Sequence, residues 1–152
     1  MLNEVSLDTI YKISKRELSL RPFITRTPAI HSMAISIYLY PLMETDRYIF
    51  MRSIEIKYDM ETEEGGEEIN VFYDKQDEKI YTQNLYNKDI TDRIDIEVYR
   101  RFENTVIKSY SAELLVDLYK EGKLTGALSD IASQLNEEDN PVLLLARFPQ
   151  AN

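Results

Sequence analysis

Between Asp46 and Tyr58 the tract DRYIFMRSIEIKY sets Tyr48, Phe50, Ile54, Ile56 and Tyr58 on one side of an extended chain, a period of two that no helix satisfies. A strand of this kind needs neighbours for its backbone groups and for its apolar face, and the same period recurs close by. Ala34 to Tyr40 (AISIYLY) alternates Ile35, Ile37 and Leu39 with Ser36, Tyr38 and Tyr40. After the strong strand, DMETEEGGEEINVFYD centres on Gly65 and Gly66, which can take positive φ without steric cost, so a long hairpin turning there and returning along Ile69 to Tyr73 is expected. Asp74 to Glu78 (DKQDE) reads as the next turn and KIYTQNLY, from Lys79, as a further strand. Consecutive antiparallel strands of this kind make a meander.

From Ile94 to Tyr110 two readings compete. Ile94, Val98, Phe102 and Val106 recur at helical spacing, while Ile94, Ile96 and Val98 are β-branched and alternate. The hairpin is the reading adopted, IDIEVYRR then TVIKSY, turning at Glu103 and Asn104. Beyond it the period changes. Ser111 is a good N-cap for a helix carrying Leu114, Leu115, Leu118 and Tyr119 and stopping at Gly122. A second helix begins near Thr125 with Leu128, Ile131, Ala132 and Leu135 as its inner face, and Pro141 prevents its continuation. Val142 to Leu145, four consecutive apolar residues after that turn, suit a strand covered on both faces. The expected fold is α+β and mostly β: an antiparallel β-meander, two C-terminal helices and a final buried strand. It is expected as a single domain over 1–152, strand-rich over 7–110, helical over 111–136 and closing over 141–148.

Composition narrows the function. The 152 residues can bury a core without staples, and the chain has no cysteine, so disulfides, thiol nucleophiles and zinc–thiolate sites are excluded. Eighteen basic against 27 acidic residues give a formal charge of −9, which repels phosphate backbones, so nucleic acid is not expected as a partner. No long apolar run predicts a membrane span, and MLNEVSLDTIYKI lacks the form of a signal peptide. No catalytic, metal or nucleotide motif is present, and no cofactor is expected.

The tail YKEGKLTGALSDIASQLNEEDNPVLLLARF (Tyr119 to Phe148), with FITRTPAIHSM (Phe23 to Met33), TDRYIFMR (Thr45 to Arg52) and VFYDKQDEKIYTQNLYN (Val71 to Asn87), resembles the C-terminal part of a family of six-bladed β-propellers. Its members are mostly exported lipoproteins of gut bacteria, with blades distantly similar to NHL repeats. The resemblance runs from Asp8 onward and implies a location in the periplasm or anchored at the cell surface. Such propellers are much longer, with the lipidation signal and most blades upstream of a segment resembling DTIYKIS (Asp8 to Ser14), so the resemblance implies a terminal fragment of one to two blades. Strand edges that neighbouring blades would cover then invite self-association, as a homo-oligomer through an edge or a sheet face.

Propellers bind ligands on rim loops, which makes Arg26, His31, Asp46 and Arg47 the expected ligand-binding residues. His31 is the sole histidine; a general base needs an orienting partner, and a hydrogen-bonding role in the loop is the simpler expectation. The carboxylates around Gly65 and Gly66 lack the alternating spacing of a calcium loop and read as a solvated hairpin tip. Eleven tyrosines could stack sugars, but antiparallel sheets favour tyrosine in any case. The expected function is a non-enzymatic binding or interaction module, with a glycan or peptide among the candidate partners. The alternative is a propeller-type hydrolase or lyase acting on a glycan or peptide.

Overall fold

The computed structural model describes residues 8–14, 16–34, 36–62, 64–82, 84–98, 101–102 and 104–148. They fall into two compact units, one built from the residues up to Leu42 with Tyr48–Thr82, the other from Met43–Arg47 with the residues after Thr82.

Eight strands run through the first part of the chain: β1 (Thr9–Ile13), β2 (Leu20–Thr25), β3 (Ile37–Glu44), β4 (Tyr48–Glu55), β5 (Tyr58–Asp59), β6 (Glu64–Gly65), β7 (Glu68–Asp74) and β8 (Lys79–Thr82). β1 and β2 form one antiparallel hairpin, and β3-β4-β7-β8 form a four-stranded sheet in that order. The expected meander is therefore present. β4 is buried at Ile49, Phe50 and Met51, hence on both faces in its first half. Phe50 lies opposite Phe72 and Phe72 opposite Tyr81, with ring centroids 5.9 and 5.2 Å apart, a cross-strand aromatic ladder of the kind that stabilises a sheet. Pro41 sits in β3, at the sheet edge, where a missing N–H is tolerated.

Boundaries and one turn differ from expectation. β3 runs on to Glu44 rather than stopping at Tyr40, and β4 ends at Glu55. Tyr58 instead opens the small β5–β6 hairpin, in which it faces Gly65. The turn is therefore not made by Gly65 and Gly66, neither of which has positive φ. Asp59 makes it: Oδ1 accepts the amide N–H groups of Glu61 (2.8 Å) and Thr62 (3.2 Å), the self-bonding turn that aspartate favours.

The later part of the chain has β9 (Leu85–Tyr86) paired with β10 (Asp95–Ile96), then β11 (Arg101–Phe102), β12 (Thr105–Tyr110), helices α1 (Ala112–Lys120) and α2 (Gly126–Ala132), and β13 (Val142–Arg147). The order β11-β12-β13 makes a three-stranded antiparallel sheet. Among the described residues between Ile94 and Tyr110 there are strands and no helix, with β11 and β12 paired as a hairpin; Tyr99, Arg100 and the expected turn residue Glu103 lie outside the described residues. Of the expected first arm IDIEVYRR, Asp95 and Ile96 pair instead with β9, and among its described residues only Arg101, followed by Phe102 beyond it, pairs with β12.

Ser111 Oγ accepts the N–H of Leu114 and caps α1, and Gly122 at φ 70° ends it. There the N–H of Lys123 donates to Leu118 O and that of Gly122 to Tyr119 O, a Schellman motif. Buried Ile90, Tyr110, Leu115, Leu118, Leu124, Leu128 and Ala132 form the core of this unit, with Ile94, Leu135, Val142 and Leu144 packed against it. Ile131 is exposed rather than on the inner face of α2, since the helix ends at Ala132 and only Leu128 and Ala132 are buried on it.

β13 is the larger correction. It is an edge strand, and Leu143 (62% exposed) and Leu145 (58%) project away from the core that Val142 and Leu144 help to fill. The run of four apolar residues is one strand with an apolar side chain on each face, only one face being covered. No helix among the described residues is long and apolar enough to cross a membrane.

Candidate functional site

Two of the expected site residues sit where β2 leaves its hairpin. Arg26 is committed internally: one guanidinium nitrogen donates to the carbonyl of Ile37 and the other to Asp8 Oδ1 at 3.1 Å. The same carboxylate oxygen accepts the N–H of Ile30 at 2.6 Å, which ties the short 3-10 turn Ile30–Ser32 to the start of β1. That backbone bond, with Arg26 second, holds the Asp8 carboxyl below its ordinary pKa of 3.8. His31 is in this turn with its side chain exposed, and among the described residues it has no hydrogen-bond partner, so the bonding role expected of it is not seen there.

Asp46 and Arg47 are exposed in the turn between β3 and β4. The four expected residues are thus divided, Arg26 and His31 in the first unit and Asp46 and Arg47 in the second. The acidic tip around Gly65 is exposed, and among the described residues no group of three metal-binding side chains converges. An open groove of about 350 Å³ lies at the far end of the β1–β2 hairpin, between Lys12, Glu17, Arg21 and Phe23; Arg21 is paired there with Glu17. Phe72 and Tyr81 stack within the aromatic ladder, so these rings pack against each other.

The most distinctive surface is the β11-β12-β13 sheet. Phe148 N–H donates to Asn104 O at 2.9 Å, just beyond the last β12–β13 pair, Thr105 with Arg147. Antiparallel ladders alternate bonded and non-bonded residues, so Ala146, Leu144 and Val142 bond to β12. The N–H and C=O groups of Leu143, Leu145 and Arg147 consequently point off the open edge. The side chains of these three residues share the outer face of the sheet, where Leu145 lies opposite Ile107 and Leu143 opposite Ser109, and where Phe102, 70% exposed, faces Thr105. Among the described residues no strand pairs along the outer edge of β13.

At one end of β13 lies Arg147, exposed and without an ion-pair partner among the described residues. At the other end is an acidic turn, Glu137 to Asp139, in which Asp139 Oδ2 accepts the N–H of Asn136 at 2.7 Å and Glu137 pairs with Lys120 at 2.6 Å. Sequence reasoning found β13 but not its exposure, since a leucine occupies each face. The one cue was Arg147, which shares its face with Leu143 and Leu145.

No family model matches the chain, and no curated protein matches it at a significant level. What the architecture defines is a mostly β, antiparallel α+β protein, with no closed barrel among the described residues. Among solved structures, a crystal structure of a protein from Bacteroides fragilis, provisionally described as exported, is similar with a TM-score of 0.54 and 17% identity. The similarity covers 97% of this chain and 46% of that one, so the chain spans less than half the length of its neighbour. The likeness is one of fold.

Proposed function

We propose that the chain is a non-enzymatic interaction module that receives an extended peptide segment along the open edge of β13. One observation carries this reading: the residues whose backbone groups point off the edge, Leu143, Leu145 and Arg147, are those whose side chains stand exposed on the outer face. An incoming strand would gain main-chain hydrogen bonds and apolar contact together, as in β-strand addition. Natural sheets usually blunt such an edge with charge, proline or a bulge, and here the middle of the strand carries only leucines and an alanine.

The scaffold is proposed to be the C-terminal part of a longer exported propeller, acting in the periplasm or at the cell surface. Support comes from the four-stranded antiparallel sheet β3-β4-β7-β8, of the size of a propeller blade, and from the longer neighbour described as exported.

The test is fluorescence anisotropy of a labelled peptide of alternating valine and threonine, with lysines at its ends, titrated with the chain. Saturable binding that disappears in a Leu145→Pro variant is expected, since proline there removes an N–H aimed at the partner and none aimed at β12. Equal binding by both proteins would refute the reading.

A further inference from the structure

Resting on that reading, we propose that the strand received at this edge is β13 of a second copy of the chain, antiparallel, with the two-fold axis at Leu144. A two-fold interface sets a surface against itself, and an antiparallel β13 pair must place residues from the set Leu143, Leu145 and Arg147 opposite one another, because these carry the outward backbone groups. Two registers do this with useful overlap. Centred on Leu145, the pairing sets each Arg147 against a Leu143. Centred on Leu144, it sets Leu143 against Leu145 twice, so that the exposed leucines cover each other.

Charge decides between them. In the Leu144 register Arg147 stands opposite Pro141 of the other copy, beside the acidic turn that carries Glu138 and Asp139, and the arrangement is made twice by symmetry. In the Leu145 register Arg147 lies farther from that turn. The chain carries a formal charge of −9 and repels its own copies at long range, so a cation docked on the acidic turn is what an association of this protein needs. Pairing also consumes both open β13 edges, so association through β13 closes at a dimer.

The experiment measures the mass of the full chain by light scattering coupled to size exclusion, across a concentration series. The wild type is expected to be a dimer and Leu145→Pro a monomer that keeps the wild-type circular dichroism. Arg147→Glu should weaken the dimer at least ~10-fold in Kd, and adding Glu138→Lys should restore it; this pair decides the matter should the proline variant fail to fold. Register is read by single cysteines in a chain that has none. Leu144→Cys should oxidise to a covalent dimer, since facing residues at a non-bonded position lie about 4.5 Å apart between Cα atoms, and Leu145→Cys should do so poorly. A wild-type monomer, a dimer indifferent to Arg147→Glu, or cross-linking through Leu145 would overturn the proposal. Peptide binding by a monomer would leave the interaction-module reading standing and remove only the self-pairing.

Discussion

The carbonyl oxygen of Glu55 stands 2.2 Å from the point where a Cβ on Gly66 would lie. Glu55 Cβ is only 2.7 Å from it, and the two segments are joined beside it by the N–H of Glu55 donating to Glu67 O at 2.9 Å. Gly66 is therefore required by the close passage of two backbones, not by a turn. Gly66→Ala should cost about 1–3 kcal/mol or more, because the chain has to separate where β4 meets β7. Gly65→Ala meets nothing within 4 Å and has an ordinary φ, so it should melt like the wild type. Thermal melts of the two variants side by side test this, and equal losses would show the contact to be unimportant.

Tyr110 gives a second prediction. It is 1% exposed in the core around Leu115 and Leu118, and among the described residues its hydroxyl has no hydrogen-bond partner. A buried unpaired hydroxyl loses its water without compensation, so Tyr110→Phe should be neutral or stabilising by about 1 kcal/mol, whereas Tyr110→Ala should cost about 3–5 kcal/mol. Burial raises the Tyr110 pKa above the ordinary 10.0. The folded state then holds the proton more tightly than the unfolded state, so this contribution is complete below pH 10.0 and is lost as pH rises through the folded value. Denaturant melts between pH 8 and about pH 11 should show a steeper alkaline decline in the wild type than in Tyr110→Phe. A steeper decline in the variant would refute the assignment.

These two residues show what was legible in the sequence. Strands β3, β4, β7 and β8, helix α1 and its Ser111 cap could be read because period two, period 3.6 and a capping hydroxyl are local signals. The role of Gly66 could not, since the atom that requires it belongs to Glu55 on another strand. Nor could the tie of Asp8 to Arg26 and Ile30, whose partners lie 18 and 22 residues along the chain. β13 was recognisable as a strand, but burial of one face or two depends on which elements cover it, and VLLLAR reads the same either way. At the expected ligand loop the sequence marked His31 as a polar loop residue and gave no sign that Arg26 is held by Asp8.

That tie predicts acid sensitivity. The N–H of Ile30 and the guanidinium of Arg26 favour the ionised Asp8 and lower its pKa below 3.8. The unfolded chain takes up the proton first, so the stabilisation is present above about pH 4 and is lost as pH falls through the depressed value. Asp8→Ala should melt below the wild type at pH 7, and the gap should narrow as the pH falls through the depressed value. A gap independent of pH would mean that the carboxylate charge plays no part.

Both ends of α1 are set by single residues, and their removal should be separable. Ser111→Ala deletes the oxygen that accepts from Leu114 N–H and should cost about 1 kcal/mol, while Ser111→Asp, which keeps an acceptor and adds a negative charge at the helix N-terminus, should cost little. Gly122→Ala forces a Cβ into φ 70° with open space around it, so its cost, about 1 kcal/mol, is conformational and not steric. Gly122→Asn, which tolerates that region, should recover part of it. The two ends are independent, so the double variant Ser111→Ala with Gly122→Ala should lose the sum, about 2 kcal/mol, in urea unfolding. A sub-additive loss would mean that the helix frays as one piece when either end is released, and that its buried face, Leu115 and Leu118, holds it less firmly than the core packing implies.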